Sequence, residues 1–415
     1  MTHQKRVGIL HYASPPVVGG VESTIAHHAK GLVENGYAVR VISGRGSTFD
    51  AHIETHIIPL LNSTHPDILA LKTHLDAGVV PEAFEHVTEK VTAELQTALH
   101  DCDAVIVHNA HSLNKNLPFT AALAKLSEDA SKRWIAWCHD LAWTNPQYLP
   151  ELHERYPYTL LKTVWQNTVY VTVSEARRDE IAQLLNIPVE DVVAVVPGVD
   201  PASFFQWTVT TQKLAKQLRW MDADGILLLP ARLTRRKNIA LGLKVLAELR
   251  RQTQKDFRLI ITGPPGPHNP NNPGYLGELL TLQKELDLQD AAHFLYQQGE
   301  DEDHPLIPDD TVMANLFTLS DALFFPSEQE GFGIPMLEAG IAGIPIFCSD
   351  IPPLRGTAGE FATYFDPIHD SPQAIAQTLY ETLQHSATAQ LKRHVRQNFR
   401  WDALITQKII PLIEG

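Results

Sequence analysis

The 415 residues of the sequence favour two domains of about 200 residues each over a single hydrophobic core. Hydrophobic residues make up 44% and charged residues 20% of the chain, which is typical of a globular protein in water. The net charge of −14 argues against a nucleic-acid partner and against adhesion to anionic lipid, and no apolar run reaches the ~18 residues that a membrane span needs.

The N-terminus and the cysteines predict a cytoplasmic protein. The first six residues lead directly into a short apolar strand, without the longer apolar region and small-residue cleavage site of a signal peptide. The three cysteines, Cys102, Cys138 and Cys348, are scattered without the spacing of a metal site. They are expected to be small buried side chains in a reducing compartment.

The chain is predicted to begin with a βαβ unit. An apolar strand at Val7–Leu10 precedes a helix from about Val21 to Asn35, and a second strand follows at Ala38–Ser43. The sheet should therefore be parallel. Gly19 and Gly20 precede the helix, whose unpaired backbone N–H groups would suit an anion.

The first half continues this alternation. One helix is expected at about Pro81–Leu99. Further strands are expected at Ile53–Leu60, Ala104–Val107, Trp134–Trp137, Val169–Val173 and Val192–Val196.

Histidines follow two of these strands, at the edge where parallel sheets bind ligands. From the residues alone, His139 is either a hydrogen-bonded residue at a strand end or a ligand-binding residue. His108 and His111 have no third ligand nearby and give only a weak zinc signal, so they are expected to line a polar pocket or to lie in a surface loop. The pairs Asp101–Asp103 and Asp222–Asp224 precede strands, and we interpret them as solvated turns without metal.

The second half begins at Pro197–Pro201, where proline and glycine mark a linker that runs to about Gln212. A strand at Gly225–Pro230 and a helix at about Ile239–Arg250 then flank a loop with three arginines and one lysine, Arg232–Lys237. Arginine and lysine side chains suit a diphosphate, although a run of charges is also common on solvated surfaces.

The remaining elements repeat the pattern. A strand at Phe257–Thr262 leads into a rigid loop, Gly263–Pro267, and a polar insert to about Asn272. Later strands are expected at His293–Tyr296, Ala322–Phe325, Pro345–Cys348 and Ala362–Phe365, and helices at about Asp309–Leu319, Pro372–Leu383, Ala389–Gln397 and Phe399–Ile413.

The most informative stretch lies after the apolar strand that ends at position 325. Gly331 and Gly333 form a turn, and Pro335 suits the first turn of a helix, whose N-terminus favours a phosphate. Glu330 and Glu338 stand on either side and would accept hydrogen bonds from hydroxyl groups. By themselves these residues also fit an ordinary strand-to-helix turn.

The string from Ser327 to Ala339 resembles the Glu-x7-Glu motif of retaining glycosyltransferases of the GT-B fold, specifically family 4, or glycosyl transferases group 1. The resemblance implies an α/β protein with two Rossmann-like parallel-sheet domains that face each other across a cleft. Residues 1–199 would form an acceptor-binding domain and residues 200–398 a nucleotide-sugar-binding domain. The last helix, 399–415, would return to the first domain.

The resemblance also implies roles for single residues. Glu330 would lie beside the donor sugar and Glu338 on the ribose, while Arg232 and Lys237 would bind the diphosphate. His139 would approach the 6-hydroxyl group of the sugar. The remaining donor-binding positions implied are Gly19, Gly20, Gly263, Gly331, Phe332, Gly333 and Ile334. The loop from Gly263, expected at the nucleotide base, departs from the family's usual Gly-Asp-Gly, and the family's asparagine between Pro197 and Gly198 is missing.

The function implied is transfer of a hexosyl group from a UDP- or GDP-sugar to an unidentified acceptor hydroxyl, with retention of configuration. The leaving phosphate would take the acceptor's proton on the same face, so no protein nucleophile, metal or cofactor is expected. The acceptor would be a small molecule, a glycan or a lipid-linked sugar. Two alternatives stay open: a silent nucleotide-sugar-binding subunit, and another GT-B sugar-phosphate enzyme such as a phosphorylase or an epimerase.

Overall fold

The computed structural model describes residues 4–265, 272–301 and 303–415. The chain forms two compact units. Unit 1 comprises Met1–Gly198 and Trp401–Gly415, and unit 2 comprises Val199–Arg400. Among the described residues, no helix has both the length and the apolar character that crossing a membrane would require.

Unit 1 is built on a seven-stranded parallel sheet with the order β3-β2-β1-β4-β5-β6-β7. The strands are β1 Arg6–His11, β2 Ala38–Ser43, β3 Glu54–Ile57, β4 Ala104–His108, β5 Arg133–Cys138, β6 Thr168–Thr172 and β7 Val192–Ala194. The α-helices are α1 Gly20–Glu34, α2 Pro66–Asp76, α3 Ala83–Leu99, α4 Leu117–Leu126 and α5 Glu175–Leu185. Short 3-10 turns lie at Pro59–Leu61, Ala142–Thr144, Leu149–Glu151, Tyr158–Lys162 and Val189–Asp191.

Both faces of this sheet are covered by apolar side chains. Successive side chains of a strand point to opposite faces, so a continuously apolar strand contributes to the core on each side. In β4, Ala104 and Ile106 belong to one core cluster, and Val105 and Val107 belong to another. The strand expected at Ile53–Leu60 is only Glu54–Ile57, since Pro59 has no backbone N–H and begins a 3-10 turn. The helices α2, α4 and α5 were not predicted.

Unit 2 contains a six-stranded parallel sheet with the order β10-β9-β8-β11-β12-β13. The strands are β8 Gly225–Leu229, β9 Phe257–Ile261, β10 Ala292–Phe294, β11 Ala322–Phe325, β12 Ile346–Ser349 and β13 Ala362–Phe365. The α-helices are α6 Pro201–Phe204, α7 Val209–Gln217, α8 Ile239–Thr253, α9 Asn272–Glu285, α10 Asp310–Leu319, α11 Ile334–Ala342, α12 Pro352–Ala358, α13 Pro372–His385 and α14 Ala387–Asn398. The 3-10 turns are Trp220–Asp222, Arg235–Lys237, Leu295–Gln298 and Gly359–Phe361.

The core of unit 2 follows the same alternation. In β8, Leu227 and Leu229 join one cluster, while Ile226 and Leu228 join the other. The expected linker to Gln212 is not irregular, because it contains α6 and the start of α7. Most of the predicted polar insert, residues 266–271, lies outside the described residues, and α9 begins at Asn272.

The last segment of the chain, Trp401–Gly415, belongs to unit 1. It consists of α15 Trp401–Leu404, a π-helical turn at Ile405–Ile409 and α16 Ile410–Glu414. Ile405 packs against Gly31 of α1, where a Cβ atom would come within 2.0 Å of Ile405 Cδ1. Glycine at position 31 therefore permits the close approach of this segment.

The two Asp-x-Asp pairs are not solvated turns, contrary to the sequence interpretation. Asp101 pairs with Arg40 at 2.6 Å and with Arg6 at 2.9 Å. In unit 2, Asp224 pairs with Arg393 at 2.5 Å and accepts a hydrogen bond from the backbone N–H of Asp256 at 2.9 Å. These carboxylates hold neighbouring elements together, because each lies at the start of a strand beside cations from other elements.

Candidate active site

In unit 2 the loops after β8 and β11 meet at the carboxyl edge of the sheet. These strands are neighbours. The connection after β8 leads to β9 on one side, and the connection after β11 leads to β12 on the other side, so the chain direction across the sheet reverses at this point. Ligands of open α/β sheets bind at such a switch point. The backbone N–H of Glu328 donates to the carbonyl of Arg236 at 2.8 Å, and Arg236 Nη1 donates to the carbonyl of Gln329 at 2.9 Å. The two loops therefore form one structure.

An ion pair joins the predicted residues Lys237 and Glu330. Lys237 Nζ donates to Glu330 Oε1, and the two side chains are only 12% and 9% exposed. The ammonium also lies 4.8 Å from the ring centroid of Phe325, and Arg236 Nη1 is 3.6 Å from Glu330 Oε2. Each charge is compensated by the other, since an isolated charge with so little exposure to water would be unfavourable.

The two other arginines of this loop differ in their surroundings. Arg232 is exposed, and its guanidinium has no hydrogen-bond or ion-pair partner among the described residues. Arg235 pairs with Glu278 at 2.7 Å and lies 4.9 Å from the ring centroid of Tyr275. Arg235 is thus engaged within the protein, whereas Arg232 can offer its guanidinium to an anion.

The turn before α11 requires glycine at position 333. Gly333 has φ +98°, and a Cβ atom there would lie 2.7 Å from Leu354 Cδ2. Only glycine meets both conditions without strain. Gly331 has open space where a Cβ would point, while Phe332 and Ile334 are exposed on either side of the N-terminus of α11. This helix start leaves backbone N–H groups for an anion.

Glu338 lies within α11, and its side chain is exposed. Partial burial of its carboxyl and the nearby carboxylate of Asp310 raise the pKa of Glu338 above its ordinary value. Its carboxyl has no hydrogen-bond partner among the described residues.

Gly263 is explained by packing of the backbone. A Cβ atom there would come within 2.2 Å of the Ala231 carbonyl oxygen, and the Gly263 N–H donates to this carbonyl at 3.1 Å. Gly263 thus joins the loop after β9 to the loop after β8. The part of the predicted base-binding loop at Gly266 and Pro267 lies outside the described residues.

In unit 1, three histidines lie at the carboxyl ends of three adjacent strands. His11 ends β1, His108 ends β4, and His139 directly follows β5. His108 Nδ1 and His139 Nε2 are hydrogen-bonded at 2.9 Å, and His11 Nδ1 is bonded to the carbonyl of His108 at 2.9 Å. Asn109 Oδ1 accepts a hydrogen bond from the backbone N–H of His139 at 2.8 Å.

A fourth histidine, His28 of α1, closes this cluster from the helix side. Its ring centroid lies 5.3 Å from that of His108 and 4.5 Å from that of Trp137. Burial lowers the pKa of His28 to about 3 and the pKa values of His11 and His139 to about 4, and it lowers the pKa of His108 well below the ordinary value. At neutral pH the cluster therefore consists of uncharged rings.

The expectation of a surface loop at His108 and His111 is wrong, because both side chains are buried. The His111 ring packs on Trp165 with centroids 4.1 Å apart. Among the described residues, no group of three or more His, Cys, Asp or Glu side chains is arranged to hold a metal ion.

Gly19 and Gly20 lie at the start of α1, as predicted. The carboxylate of Glu22 sits over the Gly19 backbone, where a Cβ would come within 2.1 Å of Glu22 Oε2. Nothing lies within 4 Å of the Cβ direction of Gly20. A phosphate at this helix start would meet the Glu22 carboxylate, so binding of the donor phosphates there stays a prediction.

Sequence reasoning missed His11, His28 and Asn109. His11 carried the same signal as His139, a polar residue at the end of an apolar strand. His28 lies on the apolar stripe of α1 between Ile25 and Leu32, so the helical spacing could have placed it in the core. Asn109 follows His108 and adopts a left-handed conformation with φ 58°.

Two Rossmann-like parallel-sheet domains, each with polar side chains at the carboxyl edge of its sheet, define an α/β protein of the GT-B class. A profile of Glycosyltransferase Family 4 matches residues 18–203, and a profile of Glycosyl transferases group 1 matches residues 210–400. The chain belongs to glycosyltransferase family 4, as the Glu-x7-Glu motif predicted.

The chain also resembles named proteins, at low sequence identity. The chain is 27% identical over 289 residues to O-antigen chain mannosyltransferase B of Escherichia coli, which covers 67% of this chain and 69% of that protein. It is 32% identical over 167 residues to the serotype-specific mannosyltransferase WbdA of E. coli, covering 40% of this chain but only 18% of WbdA. A glycosyltransferase structure from Rickettsia africae is matched over 99% of this chain and 98% of that one, at 17% identity and a TM-score of 0.38.

Proposed function

We propose that this glycosyltransferase moves a hexosyl group from a UDP- or GDP-sugar to an acceptor hydroxyl with retention of configuration. The observation that carries the proposal is the buried pair of Lys237 and Glu330. It brings the cation expected at the donor diphosphate against the first carboxylate of the Glu-x7-Glu motif.

The positive groups of unit 2 would stabilise the departing nucleotide diphosphate. Lys237 is held in place by Glu330, and the guanidinium of Arg232 is exposed and without a described partner. The backbone N–H groups at Gly333 and Ile334 add the positive end of α11. Negative charge grows on the leaving phosphate in the transition state, so these donors act where they contribute most.

The two carboxylates would serve different parts of the donor. Glu330 would stand beside the sugar ring, where positive character develops as the glycosidic bond breaks. Glu338, exposed on α11, would accept hydrogen bonds from the ribose hydroxyl groups. These ribose contacts are the same before and during the reaction, so Glu338 would support binding rather than the rate of chemistry.

His139 in unit 1 would bind the 6-hydroxyl group of the sugar through its imidazole. Burial lowers its pKa to about 4, so the ring is neutral at physiological pH and has one donor and one acceptor nitrogen. A neutral ring suits a hydroxyl group and avoids placing a further positive charge beside a ring that itself becomes positive.

The acceptor proton would pass to an oxygen of the leaving phosphate on the same face of the sugar, with no protein nucleophile, metal or cofactor. The acceptor would be a small molecule, a glycan or a lipid-linked sugar. Because two E. coli relatives are named mannosyltransferases, mannose is the first sugar to test.

The test begins with thermal shifts for UDP-, GDP- and ADP-sugars, including GDP-mannose. A donor at ~100 times its Kd adds about 2.7 kcal/mol of stability. The stabilising donor is then incubated with simple glycosides, and the product anomer is assigned by NMR. We expect nucleotide diphosphate to appear only with acceptor and the donor's anomeric configuration to be kept.

The other outcomes exclude the proposal in distinct ways. An inverted product would exclude retention. Donor binding without turnover for any acceptor would favour a silent binding subunit. A sugar phosphate or an epimerised donor as product would favour another kind of GT-B enzyme.

A further inference from the structure

The hydrogen bond between His108 and His139 occupies the inner nitrogen of the proposed sugar-binding ring. Two neutral imidazoles can form this bond in two ways, depending on which nitrogen carries the proton. Either His108 Nδ1–H donates to His139 Nε2, or His139 Nε2–H donates to His108 Nδ1. The choice decides whether the remaining nitrogen of His139, Nδ1, is a donor or an acceptor.

The surroundings of His108 favour the first arrangement. His108 Nε2 is buried and has no hydrogen-bond partner among the described residues. In the second arrangement this nitrogen would carry a buried N–H with no acceptor, a situation that folded proteins strongly avoid. In the first arrangement it is an unprotonated nitrogen of a ring that packs beside those of His28 and Trp137, whose centroids lie 5.3 and 5.8 Å from that of His108.

The backbone around both rings is fixed, so the hydrogen bond has a defined geometry. His11 Nδ1 bonds the carbonyl of His108 at 2.9 Å. Asn109 Oδ1 accepts from the N–H of His139 at 2.8 Å and from that of Asp140 at 3.3 Å. The backbone at both strand ends is thus held by hydrogen bonds from neighbouring residues. The rings of His108 and His139 are already in position for the hydrogen bond between them.

We infer that His108 is a positioning residue that donates its Nδ1–H to His139 Nε2 and so holds His139 as a hydrogen-bond donor at Nδ1. The donor would face an oxygen of the sugar, which must then accept. The substrate part of this inference rests on the proposed function, whereas the tautomer of His139 does not. The inference goes beyond the role of His139 itself, because it assigns a positioning role to His108, a residue that need not touch the substrate.

The tautomer is tested on the full chain without substrate. The protein is labelled with ¹⁵N at histidine, and the ring nitrogens of His139 are assigned by their loss in His139→Gln. We expect a protonated Nδ1 and an unprotonated Nε2 for His139, and a mixture of tautomers in His108→Phe. A protonated Nε2 in the wild type, or no change in His108→Phe, would overturn the inference whatever the activity.

The consequence for transfer is tested with three variants. His108→Phe keeps a ring but removes the donor, and His108→Asn keeps an amide N–H near the position of Nδ1. His28→Phe is the matched control, since His28 is equally buried in the same cluster but forms no described hydrogen bond. We expect a three- to tenfold rise in the donor KM for His108→Phe, because one neutral hydrogen bond is weakened. His108→Asn should recover most of the loss, and His28→Phe should stay near wild type.

A 6-deoxy donor separates positioning from structural damage. With this donor, wild type and His108→Phe should have similar KM values, since the hydroxyl group that His139 binds is absent. Equal losses with both donors, or an equal loss in His28→Phe, would overturn the positioning role. If His139→Ala leaves transfer unchanged, the proposed role of His139 fails, while the NMR result still decides the tautomer.

Discussion

The carboxyl edge of unit 1 holds neutral histidine rings, whereas the same edge of unit 2 holds opposite charges. His11, His108 and His139 lie on neighbouring strand ends and are kept uncharged by burial. The side chains of Lys237 and Glu330 also have little exposure to water, but they stay charged as partners in an ion pair. The two sheets have the same parallel architecture, so the difference arises in the side chains and not in the fold.

Under the proposed function, this difference would match the two kinds of group in a nucleotide sugar. A diphosphate carries negative charge that grows as it departs, so positive charge nearby lowers the barrier. A sugar hydroxyl is neutral and needs a donor or an acceptor with fixed direction. Changes to unit 2 should therefore alter catalysis most, and changes to unit 1 should alter binding and acid stability.

The largest effect is expected for Lys237→Ala. Loss of one donor to the growing charge should lower turnover at saturating donor by about 10²–10³. Arg235→Ala is the matched control, because Arg235 belongs to the same basic loop but pairs with Glu278. Steady-state kinetics should leave this control near wild type.

The variant must also be shown to fold, since it leaves the buried carboxylate of Glu330 without its main partner. Near-wild-type turnover in a folded Lys237→Ala protein would refute the charge assignment in unit 2.

The next effect separates the two carboxylates of unit 2. Glu338→Ala should raise the donor KM about tenfold to a hundredfold while largely sparing kcat, since a hydrogen bond to a charged group contributes ~1.5–3 kcal/mol. Glu330→Gln should instead lower kcat at saturating donor. Both are measured with the donor varied. The reverse pattern would show that the donor lies in the opposite orientation.

A smaller effect concerns acid stability in unit 1. The folded pKa of His28 is about 3, below its ordinary value of 6.5, so between these values the unfolded chain binds a proton that the folded chain does not. Stability is therefore lost as the pH falls below about 6.5, by up to about 1.4 kcal/mol per pH unit for this ring. His28→Phe should flatten the slope by that amount.

This slope is measured by urea unfolding at several values between pH 5 and pH 7. His28→Phe should be close to wild type at the neutral end, because the ring is uncharged there in both states. An unchanged slope in a correctly folded variant would mean that burial does not keep this ring neutral.

The smallest expected effect is that of EDTA. We expect transfer to continue after chelation, because under the proposed function Lys237 and Arg232 would supply positive charge to the diphosphate. Turnover is compared before and after treatment, with Mg²⁺ and Mn²⁺ added back separately. Complete loss with EDTA and recovery with either ion would contradict a reaction without metal.

Much of the carboxyl edge of unit 2 could be predicted from the sequence, because the residues that specify it lie close together in the chain. Gly331, Gly333 and Pro335 specify a strand-to-helix turn through backbone conformation, and Gly333 does adopt a positive φ. The separation of Glu330 from Glu338 placed the second carboxylate on α11. What the sequence could not give is the pairing of Lys237 with Glu330, which depends on β8 and β11 being neighbours in the sheet.

The edge of unit 1 was decided by tertiary structure. The family resemblance implies a role for His139, but the sequence predicts only a polar pocket or a surface loop for His108, and it predicts no role for His28. Only the order β1-β4-β5 brings His11, His108 and His139 to one edge, and only α1 adds His28. Residue type and spacing determined which side chains could donate or accept. Burial, which removes water from these rings, decided that they are neutral, and the strand order brought His108 and His139 within hydrogen-bond distance.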